Sequence, residues 1–412
     1  MLNTFDVEGG AARAAYNLHK ALRGQQIDSQ MLVQTRTSGD TSVYERDSRL
    51  AKALGIFRSY LDMLPLLLYR KRHQTHWSVE WFPTRINRQI RALNPDIIHL
   101  HWICRGFIHL PAPASFQKPV VWTLHDSWPF TGGCHIPGNC TGYRVKCGCC
   151  PQLGSSYAWD LSRWIWRRKR RFWKDMNLTL VAPSRWLAEC AQSSSLLRQR
   201  RIQVIHNGID LNQYRPVEKQ EARNIMHLPQ ERKLVLFSAM NATYDRNKGF
   251  RYLEAALRHL AEDGWHDRME LMVVGQSVPS VPVDAGVPTR FLGVLKDETS
   301  MRLVYSAADV TVMASAQENL PNSIMESLAC GTPVVAFNVG GVSHLVEHQE
   351  NGFLAKPFSI EDMSVGISFV LSDENRWKRL SARAGRKIEN EFDIHRVAQQ
   401  YVTLYKQLLN EN

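Results

Sequence analysis

Short runs of β-branched and aliphatic residues recur along the chain, between stretches whose apolar positions repeat every three to four residues. In the first half these runs are Pro95–His101, Val120–Asp126, Leu178–Ser184 and Ile202–Asn207. In the second half they are Leu234–Ala239, Met269–Gly275, Arg290–Leu295, Asp309–Ser315 and Pro333–Asn338. Helical patterns separate them, among others at Ala11–Arg23, Phe250–Glu262, Glu298–Ala307 and Ser323–Ala329. Mostly apolar strands alternating with helices predict parallel sheets covered on both faces. About nine such strands are many for one sheet and suit two. The natural break is Asn207-Gly208-Ile209-Asp210, followed by the polar stretch Arg215–Gln230. The expected division is therefore a domain over 1–207, a second over 208–393, and a closing helical segment over 394–412. The final helix, Ile394–Leu409, sets Val397, Tyr401, Leu404, Tyr405 and Leu408 on one face, which must pack on something.

Composition narrows the classes. With 412 residues, 44% hydrophobic and 22% charged, the chain has ample material for globular cores, and disorder, collagen and coiled coil fit poorly. The net charge of +12 points to an anionic partner: nucleic acid, a membrane surface or a phosphorylated substrate. The longest apolar run, Met63–Tyr69, is far below the ~20 residues of a spanning helix. The opening Met1-Leu2-Asn3-Thr4-Phe5-Asp6 lacks the basic region and apolar stretch of a signal peptide, so a cytoplasmic location is expected. Eight cysteines in such a chain point to thiols or metal ligands before disulfides.

The sharpest chemical signal lies between Ser315 and Ala336. A strand ends near Ser315, a loop carries Glu318, and Pro321-Asn322 stand where a helix starts. Gly331 falls just past the end of that helix and Pro333 opens the next strand. Glu326 lies about one turn inside. The helix N-terminus, with its free N–H groups and partial positive charge, suits a diphosphate. Glu326 could then accept hydrogen bonds from a ribose and Glu318 from a sugar. The competing reading makes both glutamates surface carboxylates, which a first helical turn favours anyway.

Two glutamates with seven residues between them, Pro-Asn in the interval and Gly-Thr-Pro-Val-Val after, resemble the retaining glycosyltransferases of family four, whose fold is GT-B. Further matches follow in the expected order: Gly9-Gly10-Ala-Ala-Arg13, His125-Asp126, Ala182-Pro-Ser184-Arg-Trp-Leu, Asn207-Gly-Ile-Asp210, Lys248-Gly-Phe, Leu292-Gly293 and Ala308-Asp309. The resemblance spans nearly the whole chain. It implies an α/β fold of two Rossmann-like, doubly wound domains facing across a cleft. The last helix would cross back to the N-terminal, acceptor-binding domain, and the C-terminal domain would bind a nucleoside-diphosphate sugar.

The resemblance also implies roles. Glu326 would bind ribose hydroxyls, Glu318 sugar hydroxyls, and Lys248 the diphosphate. The family normally adds a second cation in a Gly-Arg pair after the strand. Here Ser238-Ala239-Met240 stands instead, and Arg246 is the nearest substitute. Gly9 and Gly10, Pro321, Asn322 and Gly293 would line the donor, and His125 would contact the transferred sugar near its anomeric carbon. Sugar transfer to a glycan or lipid-linked hydroxyl would retain configuration. The leaving phosphate would take the acceptor's proton, so no protein nucleophile and no catalytic cofactor is expected. The family's first strand normally has about five residues before the Gly-Gly turn; only Leu2–Phe5 can serve here, which suggests a start a few codons upstream.

Two features stand outside that site. Cys134, Cys140, Cys147 and Cys150, with Cys149 as a fifth thiol, have spacings compatible with a structural zinc. Their order, in Thr131-Gly-Gly-Cys134-His and Cys150-Pro-Gln-Leu, is similar to a subgroup of exopolysaccharide and colanic-acid-type transferases. Reduced thiols or a disulfide are the alternatives. The run Arg163–Lys174 interleaves Trp164, Trp166, Phe172 and Trp173 with basic residues and no acid. It reads either as an interfacial helix on an anionic membrane surface or as a surface helix with its tryptophans packed inward. Met63–Tyr69 followed by Arg70-Lys71-Arg72 is a second such patch. The resemblance thus leads to a hexosyltransferase of surface-polysaccharide or lipopolysaccharide assembly, peripheral on the inner membrane face. A non-catalytic assembly subunit and a sugar-nucleotide epimerase are the other readings; nucleic-acid binding lacks a recognisable module and is not expected.

Overall fold

The computed structural model describes residues 1–45, 49–73, 75–240, 244–275, 283–295 and 297–411. The chain divides into two compact units, Met1–Gly208 with Val397–Asn412, and Ile209–Arg396. In the first unit the strands are β1 (Leu2–Phe5), β2 (Met31–Thr35), β3 (Val43–Tyr44), β4 (Ile98–Leu100), β5 (Val120–Thr123), β6 (Leu178–Ala182) and β7 (Arg201–Val204). Its helices are α1 (Gly10–Gly24), α2 (Arg49–Met63), α3 (Ile86–Leu93), α4 (Leu161–Trp173) and α5 (Arg185–Ser193). The second unit holds β8 (Lys233–Ser238), β9 (Met269–Val274), β10 (Thr289–Gly293), β11 (Val310–Met313), β12 (Val334–Phe337) and β13 (Gly352–Ala355). Its helices are α6 (Lys219–Ile225), α7 (Phe250–Leu260), α8 (Glu298–Ala307), α9 (Asn322–Ala329), α10 (Ile360–Leu371) and α11 (Glu374–Glu391). Helix α12 (Ile394–Asn410) follows.

Among the described residues the sheets have seven strands in the order β3-β2-β1-β4-β5-β6-β7 and six in the order β10-β9-β8-β11-β12-β13. Every pairing within them is parallel. The central strands are buried along their length, as in Val120–Thr123 and Met269–Val274, because helices cover both faces. In the second unit the covering is explicit. Leu234, Leu236 and Met272 face one apolar cluster, while Val235, Phe237, Leu271 and Val273 face another. Helix starts are set by short polar caps: Asp160, Ser184, Asp297, Ser359 and Asp373 each accept the amide three residues on.

In each sheet the chain winds outward one way and then the other. The first reverses between β1 and β4, the second between β8 and β11. Such a reversal opens a crevice at the carboxyl ends of the two strands, where ligands bind in open α/β sheets. Helix α12 packs within the first unit, with Val397, Tyr401, Leu404 and Leu408 buried. The apolar face read from the sequence thus has its partner. The strands β2, β3 and β13 were not among those expected. Arg290–Leu295 is paired over Thr289–Gly293, and Ile202–Asn207 over Arg201–Val204.

Candidate active site

At the reversal of the second sheet, β8 and β11 are neighbours. After β8 the chain makes a short turn, Arg246–Lys248, capped by Asp245, whose side chain accepts from Asn247 N at 2.9 Å. After β11 comes the loop that carries Glu318. The two loops are tied together: Ala316 N donates to Asn247 O at 2.7 Å, and Asn247 Nδ2 donates to Gln317 O at 3.1 Å. Lys248 Nζ meets Glu318 Oε1 at 2.7 Å. The carboxylate of Glu318 raises the Lys248 ammonium above its ordinary value despite partial burial. Gly249 has φ +69° and a Cβ there would strike the Ala314 carbonyl. Gly340, at φ +56°, lets the chain press against the Glu318 carbonyl, to which Gly341 N donates at 3.1 Å. The position of Glu318 is therefore fixed from both sides by backbone that only glycine permits.

Pro321 is the extended N-cap of α9 and Asn322 its first residue, so the helix opens beside Glu318 without a side-chain cap. Its first amides are the groups that a bound anion can satisfy. Glu326, one turn in, is buried at 6% exposure. Tyr305 of α8 donates to its Oε2 at 2.9 Å. Burial, then the Glu326 charge, pushes the Tyr305 phenol well above its ordinary value, which keeps it a donor. Gly293 ends β10 with φ +72° and open space beside its Cα. Arg246 is exposed in the Lys248 turn, and no ion pair joins it to another described residue.

In the first unit Gly9 (φ 90°, ψ 165°) is the N-cap of α1 and Gly10 its first residue. The loop before them is held by Asp6, which accepts from Thr37 N, Thr37 Oγ1, Ser38 N and Val7 N at 2.7–3.1 Å. Burial opposes ionisation of Asp6, but these donors outweigh it and hold the carboxyl below its usual range. His125 follows β5 at the same carboxyl edge. Its Nε2 lies 2.9 Å from His101 Nδ1, just past β4, and burial lowers its pKa to about 4, so the ring is neutral at pH 7. Asp126, next in the chain, accepts from Trp102 Nε1 at 2.8 Å and Trp128 N at 2.8 Å and pairs with His135 Nδ1 at 2.6 Å. Ser78 Oγ holds the other nitrogen of His135 at 2.9 Å.

Residues 8–213 match the pattern of glycosyltransferase family 4, and residues 231–373 that of glycosyl transferases group 1. The chain belongs to glycosyltransferase family 4. A putative colanic acid biosynthesis glycosyl transferase of Escherichia coli, WcaC, is 24% identical over 347 residues, 80% of each chain. Among solved structures, the sucrose-phosphate synthase of Thermosynechococcus elongatus superposes with a TM-score of 0.69 at 20% identity, over 100% of this chain and 96% of that one. The Anabaena protein HepE, solved with UDP-glucose, gives 0.65 at 19% identity over 98% of each chain. The family match makes the protein an enzyme of glycosyl transfer, and the likeness to solved structures shows the two-sheet GT-B fold.

The cysteine loop of this glycosyltransferase is ordered by a set of hydrogen bonds. All eight cysteines are free. Burial, the largest effect, pushes the Cys134, Cys147 and Cys150 thiols up, and neighbouring cysteines push Cys134 further. Among the described residues no group of three or more His, Cys, Asp or Glu stands arranged to hold a metal ion, although Cys134, Cys140, Cys147 and Cys150 lie close enough to act on one another's charge. Cys150 N donates to Asp160 Oδ2 at 2.7 Å, Thr131 Oγ1 to Cys134 O at 2.7 Å, and Arg163 Nε to Cys147 O. Lys169, fully buried, donates to Trp128 O and to Thr131 O, the latter at 3.1 Å, and its ammonium sits 3.7 Å from the Trp128 ring centroid.

The aromatic residues of the basic segment divide between buried and exposed positions. Trp166 and Trp173 of α4 are buried, donating to Ser195 Oγ at 3.1 Å and Leu110 O at 2.8 Å. Trp164 instead faces outward under Arg168, and the exposed Trp159 lies against Arg163 and Arg167. In the other patch Leu64, Leu67 and Leu68 are exposed and only Leu66 is buried. No helix of the described residues is long and apolar enough to cross a membrane.

Sequence reasoning missed Tyr305, Asp6, Lys169, His101 and His99. A signal existed for the histidines: His99 and His101 share one face of a strand end at i, i+2 spacing, as do Thr123 and His125 on the neighbouring strand.

Proposed function

We propose that this enzyme transfers a sugar, with retention of configuration, from a uridine-diphosphate sugar to a hydroxyl of a glycan or lipid-linked acceptor in surface-polysaccharide assembly. The observation that carries the donor side is the Lys248–Glu318 pair at the opening of α9, with Glu326 held by Tyr305 one turn below. Arriving diphosphate exchanges one anion for another at Lys248 and takes up the amides of α9, so charge building on the leaving group meets fixed positive poles. Glu318, released from Lys248, accepts from sugar hydroxyls, and Glu326 from the ribose. His125, neutral, offers a donor to the transferred sugar. HepE was solved with UDP-glucose and WcaC is named for colanic acid biosynthesis, which supports the uridine donor and the polysaccharide product.

Thermal unfolding with a panel of nucleoside diphosphates tests the donor, since a ligand that binds only the folded state raises the transition. UDP should raise it in the wild type and not in Glu326→Ala. Lys248→Ala and Glu326→Ala should abolish transfer and keep the wild-type circular dichroism. Unchanged transfer in both variants would sink the assignment.

The acceptor reading carries a location: peripheral, on the inner, anionic face of a membrane. Leu64, Leu67 and Leu68 with Arg70-Lys71-Arg72, and Trp159 and Trp164 with the α4 arginines, combine exposed apolar tips and cations as interfacial segments do. The two patches adjoin: Tyr69 OH accepts from Leu161 N at 2.8 Å. Anionic vesicles should co-sediment the protein in low salt and release it in high salt.

A further inference from the structure

We infer that His101 is a positioning residue that sets the tautomer and orientation of His125, and that the C-terminal helix holds it in place through His99. This rests on the reading that His125 contacts the transferred sugar. All the groups involved lie within the first unit.

The argument begins with protons. His101 Nδ1 and His125 Nε2 are 2.9 Å apart, so one of the two nitrogens carries the hydrogen and the other accepts it. The rings are stacked, with centroids 5.2 Å apart and planes 25° from parallel. His101 Nε2 is buried and has no hydrogen-bond partner among the described residues. Were His125 the donor, the proton of neutral His101 would sit on that Nε2, as a buried N–H with nothing to accept it. Folded proteins rarely leave a donor in that condition. With the opposite assignment His101 donates from Nδ1, only a lone pair is left on its Nε2, and His125 accepts at Nε2. The proton of His125 is then on Nδ1. Burial favours the neutral form of both rings, so neither escapes the choice by carrying two protons.

The donor ring is itself braced. Trp122 Nε1 donates to the His101 carbonyl at 3.0 Å, and the His99 ring lies against the His101 ring with centroids 4.1 Å apart. His99 has both nitrogens engaged, Nδ1 with Tyr405 OH at 2.7 Å and Nε2 with Thr123 Oγ1 at 2.8 Å. Thr123 Oγ1 in turn meets Tyr401 OH at 2.9 Å. Tyr401 and Tyr405 are one turn apart on α12 and therefore point to one side. A chain of fixed rings thus runs from the last helix to the histidine at the carboxyl edge. His99 and Thr123 are polar side chains inside otherwise apolar strands with no other evident use, and apolar residues would fill the space at lower desolvation cost.

Four variants and one spectrum test this. His101→Leu removes the donor and should lower kcat about tenfold or more while changing the donor KM by less than about threefold, as expected for lost orientation and not lost binding. His101→Asn returns an amide N–H near the Nδ1 position and should recover most of that loss. Tyr405→Phe, which frees one nitrogen of His99, should give a smaller fall in kcat. Long-range proton–nitrogen correlation on histidine-labelled wild-type protein should show the His101 proton on Nδ1 and that of His125 on Nδ1.

His125→Ala separates the two ideas. If it is inactive while His101→Leu turns over at the wild-type rate, the relay is wrong. If His101→Asn is as impaired as His101→Leu, the donor role is wrong. If His125→Ala is itself fully active, the sugar-contact reading falls, and with it the proposed effect on transfer. The spectrum decides the tautomer independently of activity or of any variant's folding: a His101 proton on Nε2 overturns the proposal.

Discussion

Glu326 and Glu318 stand eight positions apart, and the structure treats them differently. Glu318 is paired with a cation that a diphosphate would claim, whereas Glu326 is buried and steadied by a neutral phenol. A carboxylate held by a phenol can accept from an incoming ribose without a cation that would have to be displaced. Tyr305→Phe should therefore leave the fold intact and weaken donor binding about tenfold, the order of one hydrogen bond to a charged group. A donor KM at the wild-type value would show that the phenol only fills space. Gly340 gives a second test. Alanine there would both strain a left-handed backbone and meet the Glu318 carbonyl. The substitution should lower stability by roughly 2 kcal/mol or more and disturb the donor site with it. Glu318, Pro321, Asn322, Glu326 and Lys248 could be nominated from the sequence because they stand in local strings. Tyr305, His101 and Asp6 were not, because each acts on a group 21–31 residues away that only the folded sheet brings near.

Elements with a two-sided boundary were the readable ones. Helix α9 has Pro-Asn before it and Gly-Thr-Pro after it, so its span follows from turn chemistry. Helix α11 is long but buries only Leu380, Ala384 and Ile388, a stripe too narrow to stand out from its charged background. The spacings of the cysteine loop allow a four-thiolate site, and in the fold these cysteines are neighbours. What orders the loop here is the start of α4. Asp160 caps that helix at Arg163 N (3.1 Å) and also accepts from Ser162 Oγ at 2.6 Å and Cys150 N at 2.7 Å. Asp160→Ala removes a cap and orphans the buried Cys150 amide, which should cost about 2–3 kcal/mol by denaturant unfolding. It should also raise the reactivity of Cys147 and Cys150 toward a thiol reagent. A loss below about 0.5 kcal/mol would mean the loop is ordered by something else.

At the scale of the whole molecule, the two units carry different titrating groups. Burial lowers the pKa values of His99 and His101 well below the ordinary value, and those of His19 and His125 to about 4. All four belong to the first unit. Lys169, also in that unit, is lowered by burial to about 7. In each case the unfolded chain binds protons that the folded unit refuses, so stability rises with pH. For His19 and His125 this dependence is complete above about pH 6.5 and is lost as pH falls towards about 4. Each histidine adds up to about 1.4 kcal/mol per pH unit inside its window, less where the ring is partly solvated, as His125 is. Lys169 continues the same slope from about pH 7 upward. The buried carboxyls of Glu80 and Asp62, raised by burial in the same unit, act with the opposite sign. Calorimetry at pH 7.5 and pH 5 should therefore show one transition falling on acidification, less steeply than the histidines alone would give, while a second moves little. UDP identifies the second, because Lys248, Glu326 and the start of α9, proposed to hold the nucleotide diphosphate, lie in the other unit, so UDP should shift that transition most. Two transitions descending together, or a single one that UDP moves at both pH values, would mean that the buried histidines do not govern the acid sensitivity of the first unit.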